Sequence, residues 1–150
     1  MRVLFLIGLL FSGLASCQTI GNWGTHDHPK LKVMDLRVTS ATDEGSAVEI
    51  ACLVENPNPF KLGIEHVAYE LWVDGHGKYV GDAVPRVTAP RRGGQLLILK
   101  AGIAGQSLAG KKYHFWARIT YRPQGEIRTL MTESNLPLPW KEISVKGKFK

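Results

Sequence analysis

The chain has 150 residues, of which 44% are hydrophobic and 21% are charged, with 16 Gly, 8 Pro and 2 Cys. This length and composition are typical of one globular domain, and they exclude a disordered, collagen-like or disulfide-dense chain and a membrane protein with many spans. Lysine and arginine outnumber aspartate and glutamate by 19 to 13, and the resulting net charge of +6 favours attraction to anionic surfaces.

The N-terminus has the pattern of an export signal. A positive charge at Arg2 precedes the apolar run of residues 3–11, which is too short for a spanning helix of about 20 residues. The segment Leu14-Ala15-Ser16-Cys17 then resembles a bacterial lipobox, a signal that is cleaved before its cysteine. We therefore predict a lipoprotein signal peptide over 1–16 and lipid attachment at Cys17. The alternative is an ordinary signal peptide with a chance cysteine in its cleavage region.

The lipobox resemblance implies an exported protein that acyl chains hold in the cell envelope, because two or more such chains bind a bilayer stably. Among Gram-negative lipoproteins an Asp after the acylated cysteine favours the inner membrane. This chain has Gln18 there, so the resemblance favours the outer membrane, facing the periplasm.

Residues 17–28 are rich in polar residues and glycine and lack apolar periodicity, which predicts a flexible tether. Within it, His26-Asp27-His28 has the residue types of a metal site. A zinc site, however, needs three or four fixed ligands, and neighbours on a tether supply only a poorly organised part of that shell. We expect a solvated tether, no metal site and no cofactor.

From residue 29 onward the chain alternates apolar and polar residues with the period of half-buried strands. The apolar face switches near Asp35, as at a β-bulge. Cys52 shares a face with Val48, Ile50 and Val54, which predicts a buried thiol rather than a nucleophile. Loops are predicted over 84–94 and 101–110. The predicted strands cover 31–39, 47–55, 65–74, 78–82, 95–100, 112–122, 126–132 and a last segment through Ile143, Val145 and Phe149.

The segment Asn56-Pro57-Asn58-Pro59-Phe60 ends the second of these strands, since proline cannot donate to a β-ladder and asparagine favours turns. With the strands around it, this motif resembles the late embryogenesis abundant (LEA) type 2 family, also called the WHy (water stress and hypersensitive response) domain. The resemblance covers essentially all of residues 29–150. It implies an immunoglobulin- or fibronectin-III-like antiparallel β-sandwich of seven to eight strands, without known catalytic residues, and a role in desiccation and stress tolerance.

No catalytic motif is visible in the sequence, so we expect a protein that is not an enzyme. Two tryptophans, Trp72 and Trp116, lie opposite the core stripe of their strands and need cover, either from a second layer or loop or from a partner protein. The basic pairs Arg91-Arg92 and Lys111-Lys112 could face an anionic surface or simply be solvated. The sequence therefore predicts a stress-protective envelope module with client proteins and a bilayer as partners, or an accessory subunit of an envelope complex. Nucleic acid is not expected as a partner.

Overall fold

The computed structural model describes residues 27–105 and 107–150, so the predicted signal peptide, Cys17, His26 and most of the tether lie outside the described residues. No helix among the described residues is long and apolar enough to cross a membrane. The elements are, in chain order, β1 (Lys30–Ala41), β2 (Gly45–Asn56), β3 (Leu62–Val73), β4 (Gly77–Ala83), β5 (Val87–Ala89), β6 (Gly93–Ala104), β7 (Lys112–Arg122), α1 (Glu126–Glu133) and β8 (Trp140–Lys148).

The strands form two antiparallel sheets that face each other. In the first sheet β2 lies between β1 and β6, and in the second the order is β4-β3-β7-β8, with β5 pairing to the start of β3. This arrangement confirms the predicted antiparallel β-sandwich of the immunoglobulin or fibronectin-III type.

The core lies between the sheets because each strand points every second side chain inward. β2 contributes Val48, Ile50, Cys52 and Val54, all buried as predicted from their alternation. Among the described residues, the first buried member of the core cluster in the chain is Val48 and the last is Phe149. A chain that begins at residue 17 therefore keeps all of it.

The predicted face switch in β1 is a β-bulge. The pairing of β1 with β2 shifts between Val33 and Asp35, after which Leu36 rather than Asp35 packs against the core. The Asp35 carboxylate accepts a hydrogen bond from the Leu36 N–H at 2.9 Å and so supports the bulged backbone.

Three predicted segments are wrong. The expected loop 84–94 contains β5 and the start of β6, and β6 continues through 101–104 because it pairs with β2 along all twelve residues of both strands. The expected strand 126–132 is helix α1. Ile127, Leu130 and Met131 have the i, i+3, i+4 spacing of a helix face as well as partial alternation, and the helical period prevails.

Candidate functional site

The Asn-Pro-Asn-Pro-Phe motif connects two turns of the sandwich through hydrogen bonds, and we call it the Asn56 joint. Asn56, only 2% exposed, donates from Nδ2 to the carbonyl oxygens of Phe60 (2.7 Å) and Pro90 (3.0 Å). Its Oδ1 accepts the backbone N–H of Asn58 at 3.0 Å, and the Asn58 carbonyl accepts the N–H of Arg92 at 2.9 Å. The motif thus fixes the turn after β2 to the connection between β5 and β6.

The same joint holds the end of the predicted tether. Asn58 accepts the N–H of Asp27 at 3.1 Å and donates to the Asp27 carbonyl at 2.8 Å. The hydroxyl of Tyr121 lies 2.6 Å from Nδ1 of His28. Burial raises the pKa of Tyr121, so its hydroxyl stays protonated at neutral pH and is hydrogen-bonded to the ring nitrogen. Asp27 and His28 are therefore bound to the domain rather than freely solvated, and the described residues contain no group of three potential metal ligands.

Three tryptophans lie on the outer face of the second sheet. Trp72 in β3 is 54% exposed, Trp140 in β8 is 51% exposed, and Trp116 in β7 is half-buried. The expectation that another part of the domain covers Trp72 is wrong for the residues the structure describes.

Trp116 and Trp140 share one cation. The Arg118 guanidinium lies 5.6 Å from the Trp116 ring centroid and 4.6 Å from that of Trp140. It also donates from Nε (2.8 Å) and Nη2 (2.6 Å) to the Glu142 carboxylate. This corner of the face is therefore held together by its own contacts.

The other end of the face carries what we call the lysine–tryptophan patch, made of Trp72, Lys112, His114, Lys146 and Lys148. The strand register places Trp72 opposite His114, His114 opposite Lys146, and Lys112 opposite Lys148. An open cavity of about 340 Å³ lies here, lined by all of these residues except Lys148 and bordered by Asp74. The patch therefore joins an exposed indole to three cations.

Apart from Asp74, three carboxylates on this sheet are engaged in ion pairs away from the patch lysines. Glu70 pairs with Lys78 at 3.2 Å, Asp82 with His66 at 2.9 Å, and Glu142 with Arg118. No ion pair within the described part of the chain involves Lys112, Lys146 or Lys148. These three lysines give the patch its positive charge.

The basic pairs singled out in the sequence do not form one surface. Lys111 and Lys112 lie at the start of β7, whereas Arg91 and Arg92 precede β6 at the opposite end of the sandwich, roughly 33 Å away by the length of an eleven-residue strand. All four side chains are exposed. Lys112 joins the lysine–tryptophan patch, and Arg92 is bound to the Asn56 joint through its backbone.

The first sheet has an exposed apolar area of its own. Leu96 is 49% and Ile98 46% exposed on the outer face of β6, with Leu53 opposite Leu96 and the exposed Met34 on the neighbouring β1. We call these four residues the aliphatic patch. The apolar run of residues 96–99 signals such a two-faced strand, but the sequence analysis predicts only a strand there and no exposed apolar surface.

Two groups of the described residues, the Cys52 thiol and the His114–Ser144 pair, lack the features of an activated nucleophile. Burial raises the pKa of the Cys52 thiol to about 12, which keeps it neutral. The His114 ring nitrogen Nε2 lies 2.7 Å from the Ser144 hydroxyl, but the described ion pairs give His114 no carboxylate to orient its ring. The triad that would activate a serine is therefore incomplete.

Solved structures share this architecture. The solution structure of a candidate late embryogenesis abundant protein from Arabidopsis has a TM-score of 0.56 at 13% identity, over 87% of this chain and 74% of that one. The fold is LEA-like. A second protein from Arabidopsis thaliana has a TM-score of 0.58 at 13% identity, over 83% of this chain and 82% of its own. A protein from Archaeoglobus fulgidus has a TM-score of 0.51 at 12% identity, over 81% and 98%.

Sequence comparison adds one archaeal relative of this LEA-like chain. It is an uncharacterized protein from Methanocaldococcus jannaschii, 29% identical over 75 residues, a stretch that covers 49% of this chain and 43% of that protein. The match thus spans less than half of the relative's length. No protein-family model matches the sequence.

Proposed function

We propose that this chain is a non-enzymatic, lipid-anchored envelope protein whose LEA type 2 (WHy) domain protects proteins or membranes during desiccation and related stress. The observation that carries the proposal is the LEA-like fold combined with apolar side chains that remain exposed on both outer faces. A rigid sandwich with such surfaces can bind partly unfolded proteins, whose own apolar segments become exposed as water is withdrawn.

The aliphatic patch is the surface we assign to such client proteins. Leu96 and Ile98 present apolar side chains between two ion pairs, Lys32–Glu55 at 2.7 Å and Arg37–Glu49 at 3.0 Å. An apolar centre with a charged rim is typical of surfaces that bind other proteins.

The test dries a labile enzyme with the chain 17–150 carrying Cys17→Ser, at equimolar ratio, and measures activity after rehydration. We expect several-fold more recovered activity than with an inert basic protein of similar size. Equal recovery in both samples would argue against protection of proteins.

The anchor is tested separately. In cells we expect Cys17 to incorporate labelled fatty acid, and Cys17→Ser to abolish the label and release the chain from membranes. A label that survives this substitution would exclude Cys17 as the attachment site. In a Gram-negative host, density separation of the two membranes tests the proposed outer-membrane, periplasm-facing location.

A second candidate function is an accessory subunit of an envelope complex, favoured by the exposed Trp72 and Trp140 on one sheet face. Crosslinking in membranes followed by purification distinguishes it from general protection. One stoichiometric protein partner would support the accessory role, and a broad, stress-dependent set of clients would support protection.

A further inference from the structure

We propose that the lysine–tryptophan patch docks the domain onto an anionic phospholipid bilayer. This inference goes beyond the stress-protective role, and it does not depend on acylation of Cys17. It rests on the charge of the patch and on the exposed Trp72.

The charge of the patch suits a phosphate-bearing surface. Lys112, Lys146 and Lys148 lie side by side on β7 and β8, and no described ion pair compensates them. Asp74 is the acidic residue that borders the same cavity, so the positive charge prevails there. The ammonium group is a compact, flexible point charge, which fits a mobile layer of headgroups better than one fixed, planar partner.

Trp72 supplies the apolar part of the contact. Its ring takes part in none of the ring contacts or cation–π contacts of the described residues, whereas Trp116 and Trp140 already share Arg118. An indole prefers the boundary between headgroups and acyl chains, where its ring is apolar and its N–H remains hydrated.

The experiment measures flotation of the chain 17–150 with Cys17→Ser on vesicles. One set is pure phosphatidylcholine and the other contains phosphatidylglycerol as well. We expect binding to the anionic vesicles alone, weakened by salt. Lys112→Gln with Lys146→Gln should lower the partition coefficient about 30-fold at low salt, since each lysine near such a surface contributes about fivefold.

The matched control is Lys61→Gln with Arg91→Gln, which removes the same charge from exposed positions outside the patch. It should lose less than about threefold, because charges beyond a Debye length are screened. A second readout is tryptophan emission: Trp72→Phe should remove most of the blue shift on binding, and Trp140→Phe should retain it. All variants are first compared by cooperative thermal unfolding, and only those that unfold like the parent chain are used.

Five results would overturn the proposal, four of which concern flotation or its competition. These are no flotation with anionic vesicles, equal flotation with neutral vesicles, an equal loss in the control variant, and displacement by millimolar glycerol phosphate, which would indicate a site for a small phosphate compound. Capture by soluble polyglutamate without flotation would likewise overturn it and indicate an acidic protein partner.

Discussion

One buried amide connects three segments at the end of the sandwich where β2 terminates. The Asn56 side chain donates to the carbonyl of Phe60 in its own turn and to the carbonyl of Pro90 in the connection between β5 and β6. Replacing it with alanine would leave the buried Asn58 N–H without its acceptor and the partly buried Phe60 and Pro90 carbonyls without this donor. We expect Asn56→Ala to lower the free energy of unfolding by about 3 kcal/mol.

Urea unfolding followed by circular dichroism measures this loss. The matched control is Gln124→Ala, which removes an amide of the same type from an exposed loop and should change stability by less than about 0.5 kcal/mol. Equal midpoints for Asn56→Ala and Gln124→Ala would show that the joint does not stabilise the fold.

Cys52 shows how burial alone decides the chemistry of a side chain. It is 3% exposed between the sheets, and burial raises its pKa to about 12. Because the thiolate is the reactive form, we expect the thiol of the Cys17→Ser chain to resist Ellman's reagent at pH 8 and to react fully in urea. Stoichiometric reaction of the folded chain within minutes would contradict the buried position.

At the level of elements, β3 and β4 approach closely because β4 has a glycine where Tyr69 crosses it. A Cβ added at Gly81 would lie 2.5 Å from Cζ of Tyr69 and 2.7 Å from Cε1 of Tyr79. We expect Gly81→Ala to cost about 2 kcal/mol, since both rings would have to move. Gly102→Ala is the control, because an added Cβ there meets nothing within 4 Å. Thermal unfolding compares the two, and equal melting temperatures would contradict the close approach.

Tyr69 also links the two sheets, since its hydroxyl donates to the Lys100 carbonyl of β6 at 2.6 Å. Burial, with a smaller effect of Tyr79, raises the pKa of Tyr69 from 10.0 to about 12. The folded state therefore favours the protonated phenol. The stability this provides is complete below pH 10 and is lost as the pH rises toward 12.

The substitution Tyr69→Phe separates these two effects. At pH 7 it should cost about 1 kcal/mol for the lost hydrogen bond. Between pH 9 and 11 it should make the alkaline loss of stability shallower than in the parent chain. Denaturant unfolding across this range is the measurement, and parallel pH profiles for the two chains would show that Tyr69 titrates as it does when unfolded.

The elements differ in how well the sequence predicts them, and the difference has a physical origin. β7 is predicted over its full length because one face is apolar and the other polar, and the β1 bulge is predicted because that alternation breaks at Asp35. The short β5 exists only through its pairing with Leu62–Ile64, and the end of β6 through its pairing with β2. Pairing between distant segments is not encoded in local periodicity, so these residues are assigned to loops.

The same limit applies to the candidate site. Trp72 and Lys112 are recognisable in the sequence as an aromatic residue off the core stripe and a basic residue, but that they share a cavity with Lys146 follows from the register of β3, β7 and β8. Trp140 is missed because its face depends on its pairing with Thr120. For Asn56 the sequence correctly suggests a turn. Its hydrogen bonds to the β5–β6 connection, however, depend on a distant segment and are seen only in the structure.

At the scale of the whole molecule, the aliphatic patch and the lysine–tryptophan patch lie on the outer faces of different sheets, with the core between them. Two surfaces on opposite sides of a sandwich can act independently, because neither shares a side chain with the other. We therefore expect Leu96→Thr with Ile98→Thr to reduce protection of a dried enzyme severalfold and to leave vesicle flotation unchanged. Lys112→Gln with Lys146→Gln should reduce vesicle flotation and leave protection of the dried enzyme unchanged.

Both measurements are made on the same four preparations: the parent chain, each double variant and their combination. Threonine is β-branched, which a strand favours, and both replaced side chains are about half exposed, so the aliphatic variant should unfold at nearly the same temperature as the parent chain. If the effects separate, the domain can hold a client on one face while the other lies on a bilayer. If either double variant impairs both activities equally, protection and membrane binding use one surface, and the two-faced arrangement is wrong.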